Sequence, residues 1–341
     1  MIRRLMLVSI ASVLAVSGAA ACASSKPKTT RTVKVDTPPA GTGHVLLVQF
    51  DKGIGAVAEG SSVPVWQDPD AIAALDGSAV FTVRRAGPGG TDRLVRLDLR
   101  SGAVRASWPL PTAGLAVNAV APEGRWVALT NRRAGYGSQG RASTVLVVFD
   151  ARAGAEAKRV DLAGDVQPEA FSVDGALVFA LGYSTDHYRV QTIELLTGER
   201  YDTNDRDKGL PPEDMHGHAV HGVMSADHKL LATLYRNPAN AKEPAFVHVI
   251  DLEHTWSYCA DLPVPFGTGP AGTDVIQLTA NGTVLVAANG AGRLAEINID
   301  DVRTPGTDPV RVTYRAGTIP PAHPELEAIA GFVYVLATVA E

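Results

Sequence analysis

From residue 44 onward the apolar positions fall in short runs broken by Gly, Asp, Asn and Pro, the signature of strands joined by turns. One unit recurs: an apolar strand that ends in an acid and runs into a turn. It reads Val45-Leu46-Leu47-Val48-Gln49-Phe50-Asp51, then Leu94-Val95-Arg96-Leu97-Asp98 before Ser101-Gly102. It returns as Val145–Asp150 before Gly154, Val190–Glu194 before Thr197-Gly198, Val247–Asp251 and Leu294–Asp300, with the acids 44 to 57 residues apart. A second unit interleaves with the first, a tight turn that opens an apolar strand. Its copies are Leu75-Asp76-Gly77, Pro122-Glu123-Gly124, Val173-Asp174-Gly175, Ala226-Asp227-His228 and Ala280-Asn281-Gly282. Asp-Gly and Asn-Gly between apolar runs mark hairpins, because such turns need positive φ.

Together the two units predict four strands per repeat of about fifty residues, the size of a propeller blade. The chain opens on a strand of the third kind (Val45–Phe50) and closes on an inner strand (Leu326–Ala330) and a second strand (Phe332–Ala337). The two ends complement each other, so a blade shared between the termini would close the ring and leave no free edge. The expected fold is therefore all-β: a β-propeller of six blades, with seven as the fallback, over residues 44–341. A β-sandwich or two stacked β-domains is the alternative, but nothing in that span reads as a linker and no amphipathic helix stands out.

The alternation of a Pro-Asp-Gly-type turn with a Val-x-Asp-x-x-Thr-Gly-type turn resembles the YncE-like and TolB-like propeller families, which belong to the broader WD40-like group. The resemblance covers residues 44–341 and implies a fold; such propellers host many activities.

The first 43 residues differ in kind. Arg3 and Arg4 precede an apolar run, Leu5 to Val16, too short for a membrane span of about 20 residues and suited to a signal peptide. Ser17-Gly18-Ala19-Ala20-Ala21-Cys22 follows, and small residues ending at a cysteine resemble the lipobox of bacterial lipoproteins. The resemblance implies cleavage after residue 21, diacylglycerol on the Cys22 thiol and fatty acyl chains such as palmitate. Ala19 stands where Leu is usual. An ordinary Ala19-Ala20-Ala21 cleavage site with an incidental Cys22 is the other reading. Residues 22–43 are rich in Ser, Thr, Pro, Lys and Gly, the composition of a flexible tether. Lys26, Lys28, Arg31 and Lys34 would favour an anionic lipid surface.

Composition narrows the functions. The 341 residues carry a net charge of −5, and loss of residues 1–21 with Arg3 and Arg4 takes it to −7. An acidic body with no basic stripe argues against nucleic acid as partner. Of two cysteines, lipidation of Cys22 leaves Cys259 alone, expected as a buried, inert thiol with no intrachain disulfide.

Candidate chemistry is sparse. Alignment of the inner strands on their Gly turns puts Asp70, Asn118, Glu169, His221, Gln277 and Glu327 near one end of the central channel, as a ligand-binding ring. Carboxylates there would suit Ca²⁺ and a six-bladed hydrolase or lactonase. His216, His218 and His221, three of nine histidines, are a candidate Zn²⁺ or Cu²⁺ site. On a regular strand, however, His221 would face away from the other two. No Gly-x-Ser-x-Gly elbow supports a catalytic triad, and Gly267–Gly272 holds a proline and precedes a strand, unlike a phosphate loop. Two long loops, Arg132–Ser143 and Asp202–Gly217, are of a length that is often functional. The sequence thus favours an exported, lipid-anchored module that binds an envelope protein or small ligand. A metal-dependent hydrolase or a metal- or redox-linked propeller is the alternative.

Overall fold

The computed structural model describes residues 44–341 except 51, 132–139, 186, 207–213, 226, 270–274, 279–283, 290–291, 305, 307–309, 318–325, 327–328, 330–331 and 340–341. The chain divides into residues 1–36 and 37–341, and every described residue falls in the second. It begins with β1 (Val45–Phe50), β2 (Ile54–Ala58) and β3 (Pro64–Asp68). Blade one is β4 (Ile72–Ala73), β5 (Val80–Arg84), β6 (Arg93–Leu97) and β7 (Val104–Pro109). Blade two is β8 (Leu115–Val120), β9 (Trp126–Asn131), β10 (Ser143–Asp150) and β11 (Ala155–Ala163). Blade three is β12 (Asp165–Phe171), β13 (Leu177–Tyr183), β14 (Tyr188–Glu194) and β15 (Arg200–Asp202), and the short β16 (Asn204–Asp205) follows. Blade four is β17 (His218–Met224), β18 (Leu230–Arg236), β19 (Ala245–Asp251) and β20 (Trp256–Leu262). Blade five is β21 (Val275–Leu278), β22 (Val284–Asn289), β23 (Arg293–Asn298) and β24 (Val312–Ala316), with helix α1 (Ile299–Arg303) before its last strand.

The C-terminal β25 (Phe332–Val339) pairs antiparallel with β1, Val45 opposite Val339, and the sheet order β25-β1-β2-β3 makes the sixth blade. The fold is thus a six-bladed β-propeller whose two chain ends share the closing blade. The split corrects the sequence expectation in detail. Among the described residues one C-terminal strand joins three N-terminal ones, and β1 is a second strand rather than a third. It is buried nearly throughout because it has a partner on both sides. Asp51 lies outside the described residues.

The repeated acids explain the turns. After β6 the Asp98 carboxylate accepts from the Ser101 N–H at 2.8 Å and the Ser101 hydroxyl at 2.7 Å. After β10 Asp150 accepts from the N–H groups of Arg152 and Ala153, and after β19 Asp251 accepts from that of Glu253. Four residues beyond each acid the backbone turns left-handed, at Gly102, Gly154, Gly198 and, in blade four, Thr255. In the last copy the position belongs to Asn298, which caps α1 by accepting from the Asp300 N–H, so Asp300 is not the equivalent acid. Helix α1 itself, with Ile299 and Val302 buried, is too short to leave a periodic signal.

Apolar side chains meet between blades. Phe81, Trp108 and Phe149 stack across blades one and two with ring centroids 6.4 and 5.8 Å apart. Trp66 of blade six donates to the Leu99 carbonyl of blade one, and its ring leaves no room for a Cβ on Gly102. Trp108 excludes one on Gly154 in the same way. β16 departs from the loop expected over Asp202–Gly217: it pairs parallel with β20, as a fifth strand of blade four. Next to it the buried Arg206 lies over the Tyr258 ring at 4.2 Å and donates to the Val302 carbonyl at 2.6 Å.

This strand order gives the propeller two unlike sides. Asp-Gly turns and acid turns share one, the turn side. The links from outer to inner strands, and from second to third strands, share the other, the loop side.

Candidate functional site

The loop side carries a cleft of about 210 Å³ where blades six, one and two meet, lined by Gln49, Pro69, Asp70, Ile72, Val83 and Arg85, with Ala116 and Val117 behind. Its walls come from β1, β4, β5 and β8 and from the β1–β2 and β3–β4 links. Pro69-Asp70 carries the chain from β3 into β4, and the Asp70 N–H donates to the Asp68 carboxylate at 3.0 Å, which fixes the link. Asp68 is buried and ion-paired with Arg84 at 2.6 Å, so its charge is compensated. Asp70 itself is exposed. Gln49 at the end of β1 donates its amide to the carbonyls of Phe50 and Gly53, at 2.7 and 3.0 Å.

Arg85 enters the cleft from the end of β5 and is held from behind by Asp92 at 2.7 Å. Asp92 also accepts from the backbone N–H groups of Gly114 and Ala86. Those two bonds and then the Arg85 guanidinium hold its carboxyl at about 2, well below the usual carboxylate range. Asp92 therefore stays charged under all ordinary conditions, and the guanidinium is a fixed feature of the cleft wall. An acid, a guanidinium, an amide and an apolar wall converge, the makeup of small-molecule sites.

The remaining predicted ring residues fall differently. Each inner strand of blades two, three and four carries a bulge, and its extra residue is Asn118, Glu169 and Val220 in turn. Asn118 and Glu169 hold equivalent places, and His221 is one residue past theirs. Asn118 accepts from the Thr130 hydroxyl at 2.6 Å, so it is turned toward β9. Glu169 reaches from blade three to Tyr235 of blade four, whose hydroxyl donates to Oε1 at 3.4 Å. Gln277 lies on β21 opposite Val286, and Glu327 is outside the described residues.

Of the three candidate histidines, the side chain of His221 lies outside what the structure describes. His216 precedes β17 and packs edge-on against His187, ring centroids 6.2 Å apart. His187 lies 3.7 Å from Asp214, which Arg189 binds at 2.6 Å. His218 is exposed and sits opposite Arg236 in the ladder. The bulge between Ala219 and His221 changes the alternation on which the sequence reading of that strand relied. Among the described residues no group of three or more His, Cys, Asp or Glu side chains could hold a metal ion. Cys259, expected inside, is exposed on β20, the outer strand of its blade.

Sequence reasoning missed Arg85 with Asp92, and Arg141 with Asp165. Arg141 is nearly buried, pairs with Asp165 at 2.8 Å, and donates to the Thr130 hydroxyl and the Val166 carbonyl. Both pairs join partners from separate strand ends, a proximity that no local spacing shows. Of the two long loops, residues 132–139 and 207–213 lie outside the described residues.

No protein-family model matches the chain, and no curated protein matches it. Solved structures do. TolB from Acinetobacter baumannii is 15% identical, with a TM-score of 0.41, over 82% of this chain and 66% of that one, so this chain spans just under two thirds of TolB. A candidate 6-phosphogluconolactonase from Bacteroides fragilis is 16% identical, with a TM-score of 0.44, over 84% and 85% of the two chains. The β-propeller domain of Cps50 (Swd1) from Myceliophteria thermophila is 15% identical, with a TM-score of 0.42, over 72% and 69%. The chain is similar to these propellers in fold.

Proposed function

We propose that this chain is an extracytoplasmic binding lipoprotein, held to a bacterial membrane through Cys22, whose propeller takes a small polar ligand in the loop-side cleft. The observation that carries the reading is the convergence of Asp70 and the Asp92-braced Arg85 on one apolar-walled cleft. A carboxylate and a guanidinium on the lining of one cleft would favour a molecule with both a hydrogen-bond donor end and an anionic or carbonyl end. The membrane attachment rests on the run of small residues that ends at Cys22 and on the tether that follows it. Two acyl chains anchor far more firmly than one, since each buried CH₂ contributes about 0.8 kcal/mol.

Both halves can be tested apart. Fractionated cells should hold the wild type in membranes and release Cys22→Ser or leave it as precursor; identical membrane retention of the variant contradicts the anchor. A thermal-shift screen of polar metabolites should give binders for the wild type that Ala116→Phe, which fills the cleft, no longer binds. Binders unaffected by Ala116→Phe contradict the site.

A further inference from the structure

The interface between blades three and four departs from its neighbours. Within the apolar cluster of Phe179, Leu181, Val190, Leu231, Phe246 and Ile250 sit a carboxyl, two phenols and an imidazole. Glu169 projects into it from the bulge of β12, next to Pro168, which has no N–H to give the ladder. Tyr235 from β18 donates to Glu169 Oε1, and the ring of Tyr188 from β14 stacks on Tyr235 with centroids 5.6 Å apart. Glu169 as a whole is half-buried, yet its Oε2 is enclosed and has no hydrogen-bond partner among the described residues. The hydroxyl of Tyr188, a residue 3% exposed, is also without one. The described groups around this carboxyl are Tyr235 on β18 and Tyr188 on β14, with Tyr183 on β13 against Tyr188 and His248 on β19 beyond Tyr235. Tyr188, Tyr235 and His248 are neutral near pH 7: burial drives the two phenols up and His248 down to about 3. No cation among the described residues is one of them.

A buried acceptor set with no countercharge among the described residues is complementary to a small cation. We propose that Glu169, with the hydroxyls of Tyr188 and Tyr235, forms a monovalent-cation site between blades three and four. A cation of the size of Na⁺, K⁺ or NH₄⁺ would complete Oε2 and the Tyr188 hydroxyl and allow the carboxylate to stay ionised inside the interface. Without it, burial keeps the carboxyl protonated up to about pH 7, Tyr235 opposing this only in part.

The test uses the whole propeller. Melting is followed at pH 8.5 and pH 5.5 in NaCl, KCl or NH₄Cl against choline chloride at equal ionic strength. At pH 8.5 at least one small cation should raise the melting temperature by about 3–5 °C over choline at saturating concentration. The rise should disappear at pH 5.5 and in Glu169→Gln. Equal melting in all four salts at pH 8.5, or the same rise in Glu169→Gln, overturns the site. Should Glu169→Gln not fold, crystals of the wild type soaked in thallium(I) acetate at pH 8.5 decide. An anomalous peak in contact with Glu169 supports the site, and its absence overturns it.

Discussion

The two sides of the propeller spend their charged groups in opposite ways. On the turn side blades one, two and four repeat the same device: an acid accepts from the N–H groups of its own turn, and a left-handed residue follows four positions later. On the loop side no two blades agree. Arg84 binds Asp68, Arg85 binds Asp92, Arg141 binds Asp165, Arg189 bridges Asp202 and Asp214, and Arg236 holds the Gly267 carbonyl. A group that is repeated and satisfied by its own backbone serves the blade. A group that differs from blade to blade is free to serve the ring as a whole, and the cleft lies among these. The lesson is that the repeat marks the scaffold, and departures from it mark where binding chemistry is built.

The contrast predicts which substitutions cost stability and which cost binding. The largest effect is expected on the turn side at Gly154, where φ is +71° and the Trp108 ring stands 2.8 Å from a would-be Cβ. Gly154→Val should cost about 3 kcal/mol in chemical denaturation, through left-handed strain and displacement of Trp108. It should leave binding at the loop-side cleft unchanged in whatever protein remains folded. A loss under about 1 kcal/mol would mean that this turn does not lock the blades.

The next effect belongs to Glu169, whose folded carboxyl is held near 7 against 4.5 for the free group, chiefly by burial. The folded state therefore binds more protons than the unfolded chain between those values. The stability due to Glu169 is full below pH 4.5 and is lost as pH rises through about 7. In choline chloride, where no small cation can compensate, wild type should lose about 2 kcal/mol across that window relative to Glu169→Gln, a figure reduced for the half-exposed stem. Parallel curves for the two proteins would contradict the buried carboxyl.

How much of this was legible beforehand follows the same division. The turn side could be read because its chemistry is local: Asp98 to Gly102 or Asp174 to Gly175 is a few residues of chain, and the spacing is the structure. Blade number and ring closure followed from counting those spacings. The bulges at Asn118, Glu169 and Val220 could not be read, because an extra residue leaves the apolar alternation nearly intact while it shifts every later position. Nor could the contact of Glu169 with Tyr235, 66 residues away, be read from its spacing. Asp70 was legible as lying at a strand start, but the other polar lining residues, Gln49 at the end of β1 and Arg85 after β5, had no local signal. Asp300 was misassigned to the acid position for a simpler reason: Asn298 performs the same capping with an amide.

The smallest stability effect is expected at Asp98→Asn on the turn side. Burial opposes the Asp98 charge, but the Ser101 hydroxyl, Arg105 and the Ser101 N–H overcome it and hold the carboxyl at about 2. What it contributes is present above pH 3.8 and lost as pH falls toward 2. The variant should therefore show a shallower acid limb in a stability-against-pH curve, and an unchanged limb would place the acid sensitivity elsewhere.

The measurement that bears most directly on the assignment of function to the loop side is crystallographic soaking of the propeller with a library of small fragments, each with one polar and one apolar end. The account predicts that bound fragments gather in the cleft between Asp70 and Arg85, and that Ala116→Phe crystals lose them while keeping the fold. Fragments that collect on the turn side or the outer circumference, with an empty cleft in every soak, would contradict it.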